Sequence, residues 1–294
     1  MVKVGTIYPQ IELGGDPEAL HDYALAVEQM GYDHLLMYDH VVGAVHEGRE
    51  PKLMGPYTDL NPFHDPLVAF GYLAGVTKRI ELHTGVLILP QRQTVLVAKQ
   101  ATDVDLLSGG RLRLGVGSGW NYVEYQALGE DFHTRGAKLD EQIPYLRRLW
   151  SEPVISFEGR FHSIDRGNIV PRPRRMIPIY GGGFVEAAYA RAARLADGFI
   201  FVMSLGDPLA GWTRVQELLR ENGRPVEGFG AQFFMTPSAS NPFEIPQLAD
   251  TAVRLSDAGA TDLSIGTMDR GFTTVDQHID FLAEAREKVL AALR

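Results

Sequence analysis

Residues 94–120 read TVLVAKQATDVDLLSGGRLRLGVGSGW. Thr94 to Leu107 is a helical stretch, the pair Gly109-Gly110 closes it, and the strand-like run Leu112 to Val116 leads into Gly115-Val116-Gly117-Ser118-Gly119. Glycine just past a last helical turn takes the left-handed conformation without steric cost. The unit is helix, sharp stop, strand and glycine loop, and it recurs along the chain in both directions.

Upstream, Val2 to Tyr8 is β-prone, and Asp16-Pro17 supplies an N-cap carboxylate followed by a proline at the first helical position. Leu20, Tyr23, Ala24, Val27 and Met30 then form one apolar stripe that Gly31 ends. Further strands are predicted at His34–Tyr38, Ile80–Leu89, Ile177–Tyr180, Gly198–Val202, Gln232–Met235 and Asp262–Ile265. Helices are predicted at Asp65–Val76, Ala137–Trp150, Phe184–Ala196, Asp207–Glu221, Phe243–Asp257 and Val275–Leu293. Strands alternating with helices imply a parallel sheet, and eight units in 294 residues close as an α/β (β/α)8 TIM barrel, one domain over residues 1–294. Two segments interrupt the rhythm, Val41–His64 after the second strand and Val154–Arg175 before the fifth, and both are read as lids or insertions.

Composition narrows the function. A net charge of -9 repels polyanions, so neither nucleic acid nor an anionic membrane is an expected partner. With no cysteine, disulfides, thiolate metal sites and cysteine nucleophiles are excluded. The opening MVKVGTIYPQ lacks the pattern of a signal peptide, so a cytoplasmic location is expected.

In a barrel the loops after the strands build the site. The second strand ends in Tyr38-Asp39-His40, where a histidine facing the mouth exchanges a proton near neutral pH and an aspartate orients it or bonds a ligand; a solvated strand end is the alternative. The third strand contains Thr84-Gly85-Val86, and a glycine within a strand marks a bulge or a close ligand approach. After the fourth strand, Gly117-Ser118-Gly119-Trp120 lets backbone N–H groups close on a flat or anionic ligand, although Trp120 breaks a dinucleotide fingerprint. The fifth ends in Tyr180-Gly181-Gly182-Gly183 before a helix, a natural phosphate cradle.

These strand ends, with Leu106-Leu107-Ser108-Gly109-Gly110-Arg111-Leu112 and the downstream Gly129, Phe132, Arg135-Gly136 and Asp140-Glu141, resemble the bacterial luciferase-like oxidoreductase superfamily, in its branch of probable coenzyme F420-dependent oxidoreductases. The resemblance implies a flavin or deazaflavin in the barrel mouth, its phosphate in the fifth-strand loop and its ring against the third and fourth strands. It implies a non-prolyl cis peptide at Gly85-Val86, Asp39 and His40 at the polar edge of the ring with His40 the catalytic acid/base, and Thr84 and Ser118 bonding ring or ribityl hydroxyls. The cofactor-binding set is thus Asp39, Thr84, Gly85, Val86, Gly117, Ser118, Gly119, Trp120, Tyr180, Gly181, Gly182 and Gly183, with no metal.

The expected activity is hydride transfer between coenzyme F420 and a small organic substrate. The alternative is an FMN-dependent monooxygenase that draws reduced flavin from a partner reductase. Arg160, Arg166, Arg172, Arg174 and Arg175 form a basic island suited to the oligoglutamate tail of F420, with an ordinary solvated loop as the alternative. Members acting on sugar phosphates carry a glutamate after the strand-four glycines and a lysine beyond strand six. Here Trp120 and Phe201-Val202-Met203-Ser204-Leu205 stand instead, which favours a less charged substrate. Relatives commonly form dimers, so a homodimer is expected. A metal-dependent barrel hydrolase would need ligands such as His-x-His where Tyr8-Pro9-Gln10 stands, and a non-catalytic flavin carrier would not need His40.

Overall fold

The computed structural model describes residues 2–204, 206–237 and 243–294. Eight parallel strands form the wall: β1 (Lys3–Ile7), β2 (His34–Met37), β3 (Glu81–Thr84) continued by β4 (Leu87–Ile88), β5 (Leu112–Gly117), β8 (Ile179–Gly182), β9 (Gly198–Val202), β10 (Gly230–Met235) and β11 (Asp262–Gly266). Pairing of β1 with β11 and of β3 with β5 closes the sheet on itself. The (β/α)8 barrel expected from the alternation is the fold of this chain.

The helices start where local chemistry says they should. Asp16, Asp65 and Asp207 each cap a helix that opens with proline, accepting backbone N–H bonds of 2.9–3.1 Å at α1 (Pro17–Met30), α2 (Pro66–Val76) and α7 (Pro208–Glu221). Gly31 and Gly109 end α1 and α3 (Thr94–Ser108) at φ 81° and 74°, the region a Cβ disfavours. Between the helical ring and the sheet lies one large apolar core, and a smaller cluster of Ile7, Leu36, Ile200 and Phe234 fills the barrel itself.

Three parts differ from the sequence reading. The third strand is broken: Leu82 lies opposite Leu112 but Leu87 opposite Val116, so one residue between them has no partner in β5. The unmatched residue lies beside the Gly85-Val86 peptide, which is cis, as the resemblance implied. The second insertion is a hairpin of β6 (Ile155–Glu158) and β7 (Ser163–Gly167), and a short helix, α4 (Tyr122–Ala127), follows β5.

The hairpin also disperses the expected basic island. Arg166 pairs with Asp165, Arg172 donates to the Ser151 carbonyl at the end of α5 (Arg135–Ser151), and Arg175 is held by Asp105 and the Leu112 carbonyl at the amino end of β5. The tip, where Arg160 and Phe161 donate to Glu141 and His162 bridges Glu141 and Thr94, climbs to the start of α3 and the second turn of α5. The remaining segments are α6 (Glu186–Leu195), α8 (Ile245–Asp257) and α9 (Val275–Ala292). Among the described residues no helix is long and apolar enough to cross a membrane.

Candidate active site

The break in the third strand builds a platform. Val86 is directed between β5 and β8, where the isopropyl group occupies the space that Cβ atoms would fill: a Cβ at Gly117 would lie 2.5 Å from Cγ2 of Val86, and one at Gly182 would lie 2.5 Å from Cγ1. Gly119, at φ 66°, borders Ile88 in the same way, at 2.8 Å. Glycines at the ends of β5 and β8 therefore converge on the bulge of the third strand at the carboxyl ends of the strands, where they present no side chains of their own.

Asp39 secures that platform. Its carboxylate accepts the Ile88 N–H at 2.8 Å and an Arg92 Nη2–H at 2.6 Å, and Arg92 reaches Asp65 at 2.9 Å with its other arm. With its side chain only 1% exposed, Asp39 is committed to the protein. Burial pushes its carboxyl up, against the pull of the Arg92 guanidinium. The hydroxyl of Thr84 is likewise spent, donating to the Gly115 carbonyl at 2.7 Å in a fully buried position. As placed, both side chains tie the bulge to its neighbours.

His40 stands beside this surface. Its Nδ1 lies 3.2 Å from Oε1 of Glu124, which also accepts the N–H groups of Val41 at 2.8 Å and Val42 at 3.2 Å, while Gln91 donates to Oε2 at 3.3 Å. Burial alone would raise the Glu124 carboxyl, but these donors, His40 foremost, outweigh it and hold it below the usual range. Nδ1–H donation to the carboxylate leaves Nε2 as the nitrogen free to exchange a proton.

Glu124 escaped the sequence reading because α4 did. The signal was there: Asn121, three residues before Glu124, caps α4 by accepting the Val123 N–H at 3.1 Å, the spacing of a capping box. Here the glutamate reaches across to the second-strand loop instead of back to its own cap.

The first insertion lies over the mouth. Asn121 and Tyr122 pin it through the carbonyls of Val42 and Pro51, and Gly55 lies flat on the ring of Trp120. The ring of His40 is thereby enclosed by Phe63 at 4.9 Å, Tyr57 at 5.1 Å and Trp120 at 5.6 Å. On the β1 side, Glu12 accepts the Asp269 N–H at 2.7 Å through one oxygen while the other is buried without a hydrogen-bond partner. Tyr57, Phe63 and Glu12 were not expected from the sequence.

The chain belongs to the luciferase-like monooxygenase family. The family's model matches residues 3–254. An uncharacterised protein of Mycobacterium tuberculosis is 33% identical over 270 residues, covering 85% of this chain and 87% of the relative. The F420-dependent glucose-6-phosphate dehydrogenase of Amycolatopsis mediterranei is 34% identical over 212 residues, 70% of this chain but 59% of that enzyme. An F420-dependent secondary alcohol dehydrogenase, solved with an F420–acetone adduct, shares the fold at a TM-score of 0.79 and 16% identity, covering 98% of this chain and 99% of that one. As a luciferase-like protein with F420-dependent dehydrogenases among its relatives, the chain is an oxidoreductase.

Within this luciferase-like barrel one expected contact is corrected. Tyr180 lies one layer below Gly182 on the same inward face of β8, so its ring points down the barrel: Cβ atoms at Gly198 and Gly230, the first residues of their strands, would strike it. Arg113 stacks on it at 4.4 Å, and together they line a cavity of about 550 Å³ with Lys3, Thr261 and Asp262 at the amino ends of the strands. The side chain of Tyr180 faces the pole opposite the mouth. Gly181, Gly182 and Gly183 stay at the mouth, ahead of an α6 whose N-cap residue, Val185, offers no side-chain acceptor to the first N–H groups. The helix opens at Glu186 rather than Phe184, which leaves Phe184 and Val185 outside the helix and exposed.

Proposed function

We propose that this luciferase-like protein is a coenzyme F420-dependent oxidoreductase that moves a hydride between the deazaflavin and a small organic substrate. The observation that carries the reading is the convergence of Val86, Gly117 and Gly182 on one bare backbone surface beside the His40–Glu124 pair. The residues present fit a flat phosphorylated ring: Val86 packs into the space that Cβ atoms at Gly117 and Gly182 would take, so those strand ends present no side chain of their own, and an uncapped helix follows the fifth-strand glycines.

Gly85-Val86 would back the ring, Gly117, Ser118, Gly119 and Trp120 would border it, and Gly181 to Gly183 with the first N–H groups of α6 would hold the phosphate. The deazaflavin, when bound, supplies the hydride-carrying carbon. His40 exchanges the accompanying proton at Nε2, Glu124 fixes the ring that does so, and Asp39 with Thr84 keeps the bulge in place. The loop 41–64 with its aromatic rings excludes water from that face. The 32–34% identity to several F420-dependent dehydrogenases supports F420 over FMN.

The test is a fluorescence titration of the protein with F420 and with FMN, read on its three tryptophans. F420 is expected to bind at low micromolar concentration, ~10-fold or more tighter than FMN. Tighter binding of FMN, with oxygen-dependent turnover in the presence of a flavin reductase, would establish the monooxygenase reading instead. We also propose a homodimer formed through the apolar outer face of α2 and α3.

A further inference from the structure

We propose that the substrate is an uncharged organic molecule with an apolar, ring-sized body, and that phosphorylated sugars are rejected. The inference rests on the preceding assignment of the mouth as the active site, and it departs from the sugar phosphate named for several relatives.

The surface around His40 is aromatic on several sides. Phe63 and Tyr57 meet the imidazole edge-on, at 63° and 68°, and contact each other at 4.9 Å. Trp120 closes a further side, and Tyr38 links Tyr57 at 6.3 Å to Phe234 at 6.2 Å. Ile11 and Val202 pack into the same cluster. Such walls stabilise an apolar body by removing its surface from water and leave a sugar's hydroxyls without partners.

Charge points the same way. Between each strand and the helix after it, the Lys and Arg side chains are Arg49, Lys52, Arg92 and Arg270, and residues 205 and 238–242 add none. Arg92 is held by Asp39 and Asp65. Arg270 turns outward, stacked on Phe281 at 3.9 Å and donating to the Phe243 carbonyl. Arg49 folds back on the Val45 carbonyl, and Lys52 is exposed on the insertion.

Against these stand the carboxylates of Glu12 and Asp269, both of which act on the hydroxyls of Tyr38 and Tyr57. One oxygen of Glu12 is buried with no donor to neutralise it. A phosphate dianion beside His40 would meet acidic groups, and among the described loop cations only Lys52, out on the insertion, lacks a protein acceptor, whereas a neutral molecule meets no such repulsion.

The experiment compares cyclohexanol with glucose 6-phosphate. Saturation-transfer NMR on the protein with and without F420 reads binding, and loss of the F420 absorbance reads turnover. Cyclohexanol should bind at least ~10-fold more tightly than glucose 6-phosphate, and Phe63→Ala or Trp120→Ala should each weaken it ~10-fold. Equal or tighter binding of glucose 6-phosphate, or binding of neither probe, would overturn the proposal. If F420 itself does not load, the preceding reading fails, while the two probes still decide the substrate class on the unloaded protein. Lys52→Ala closes the remaining route: loss of a measurable glucose 6-phosphate signal in that variant would show that the loop lysine swings in to serve a phosphate, and would count against the proposal.

Discussion

The carboxylate of Glu124 lies 3.2 Å from Nδ1 of His40 across 84 residues of chain, and the same oxygen accepts the N–H groups of the two residues that follow the histidine. One buried side chain thus sets both the direction of the imidazole and the path of the loop that roofs it. The arrangement is that of a carboxylate orienting an imidazole for proton transfer, with the backbone bonds ensuring that the loop cannot shift without releasing the ring.

Removing the carboxylate should therefore scramble the imidazole before it unfolds the protein. In the parent, nitrogen-15 spectra of the His40 ring are expected to show the Nδ1–H tautomer alone. Glu124→Ala should give a mixture of tautomers and faster proteolysis within residues 41–64, and Glu124→Asp should restore part of both. Unchanged ring spectra in Glu124→Ala would refute the orienting role.

The glycines of the platform should differ in what they cost. A Cβ at Gly115 would sit 2.1 Å from the carbonyl oxygen of Thr84, which is backbone and cannot turn aside. Gly115→Ala is expected to destabilise by about 3 kcal/mol or more in urea unfolding. At Gly182 the obstacle is the end of the Val86 side chain. Gly182→Ala should cost only about 1–2 kcal/mol of stability yet weaken F420 binding ~10-fold or more, because Val86 is displaced into the ring's place.

Acid sensitivity should come from buried histidines. Burial pushes His34 and His278 down to about 4, while in the unfolded chain they titrate near the ordinary histidine value of about 6.5. These groups leave stability unchanged above that value; as pH falls from 6.5 towards 4 the unfolded chain takes up protons that the fold refuses, and stability is lost. His278, whose Nδ1 meets the Thr267 hydroxyl at 2.8 Å, should account for roughly 3 kcal/mol of that loss. His278→Asn should flatten the difference between urea unfolding curves taken at about pH 7 and about pH 5. An unaltered difference would assign the acid loss to other groups.

The dimer prediction concerns α2, an eleven-residue helix that carries no charged residue although one face is bare. Val68 and Tyr72 are exposed on it, as are Val95, Leu96 and Leu107 on the neighbouring α3. A helix apolar all round is ordinarily covered on all sides. Light scattering should give twice the chain mass of 32.5 kDa, and Val68→Asp with Leu96→Asp should reduce it to the single chain. A monomeric parent protein would remove the interface.

Much of this molecule is legible in its sequence. Asp-Pro pairs and closing glycines marked helix ends because caps are satisfied within a few residues. Alternation of apolar strands and helices is enough to choose a parallel α/β sheet, since each layer must bury one face against the other, and the count of eight units points to its closure as a barrel. The Gly85 bulge was signalled by a glycine that a regular strand does not favour.

Folding alone determined which chemistry those residues are free to do. Asp39 and Thr84 read as ligand contacts, but Arg92 and the Gly115 carbonyl claim them first. Tyr180 read as a mouth residue, yet a period of two tells the face of a strand and not the height along it, so its ring went to the far pole. Glu124, Tyr57 and Phe63 reach His40 only because distant loops meet over the barrel. Contacts between segments so far apart in the chain leave no trace in local spacing, and the packing that creates them exists only once the barrel has closed.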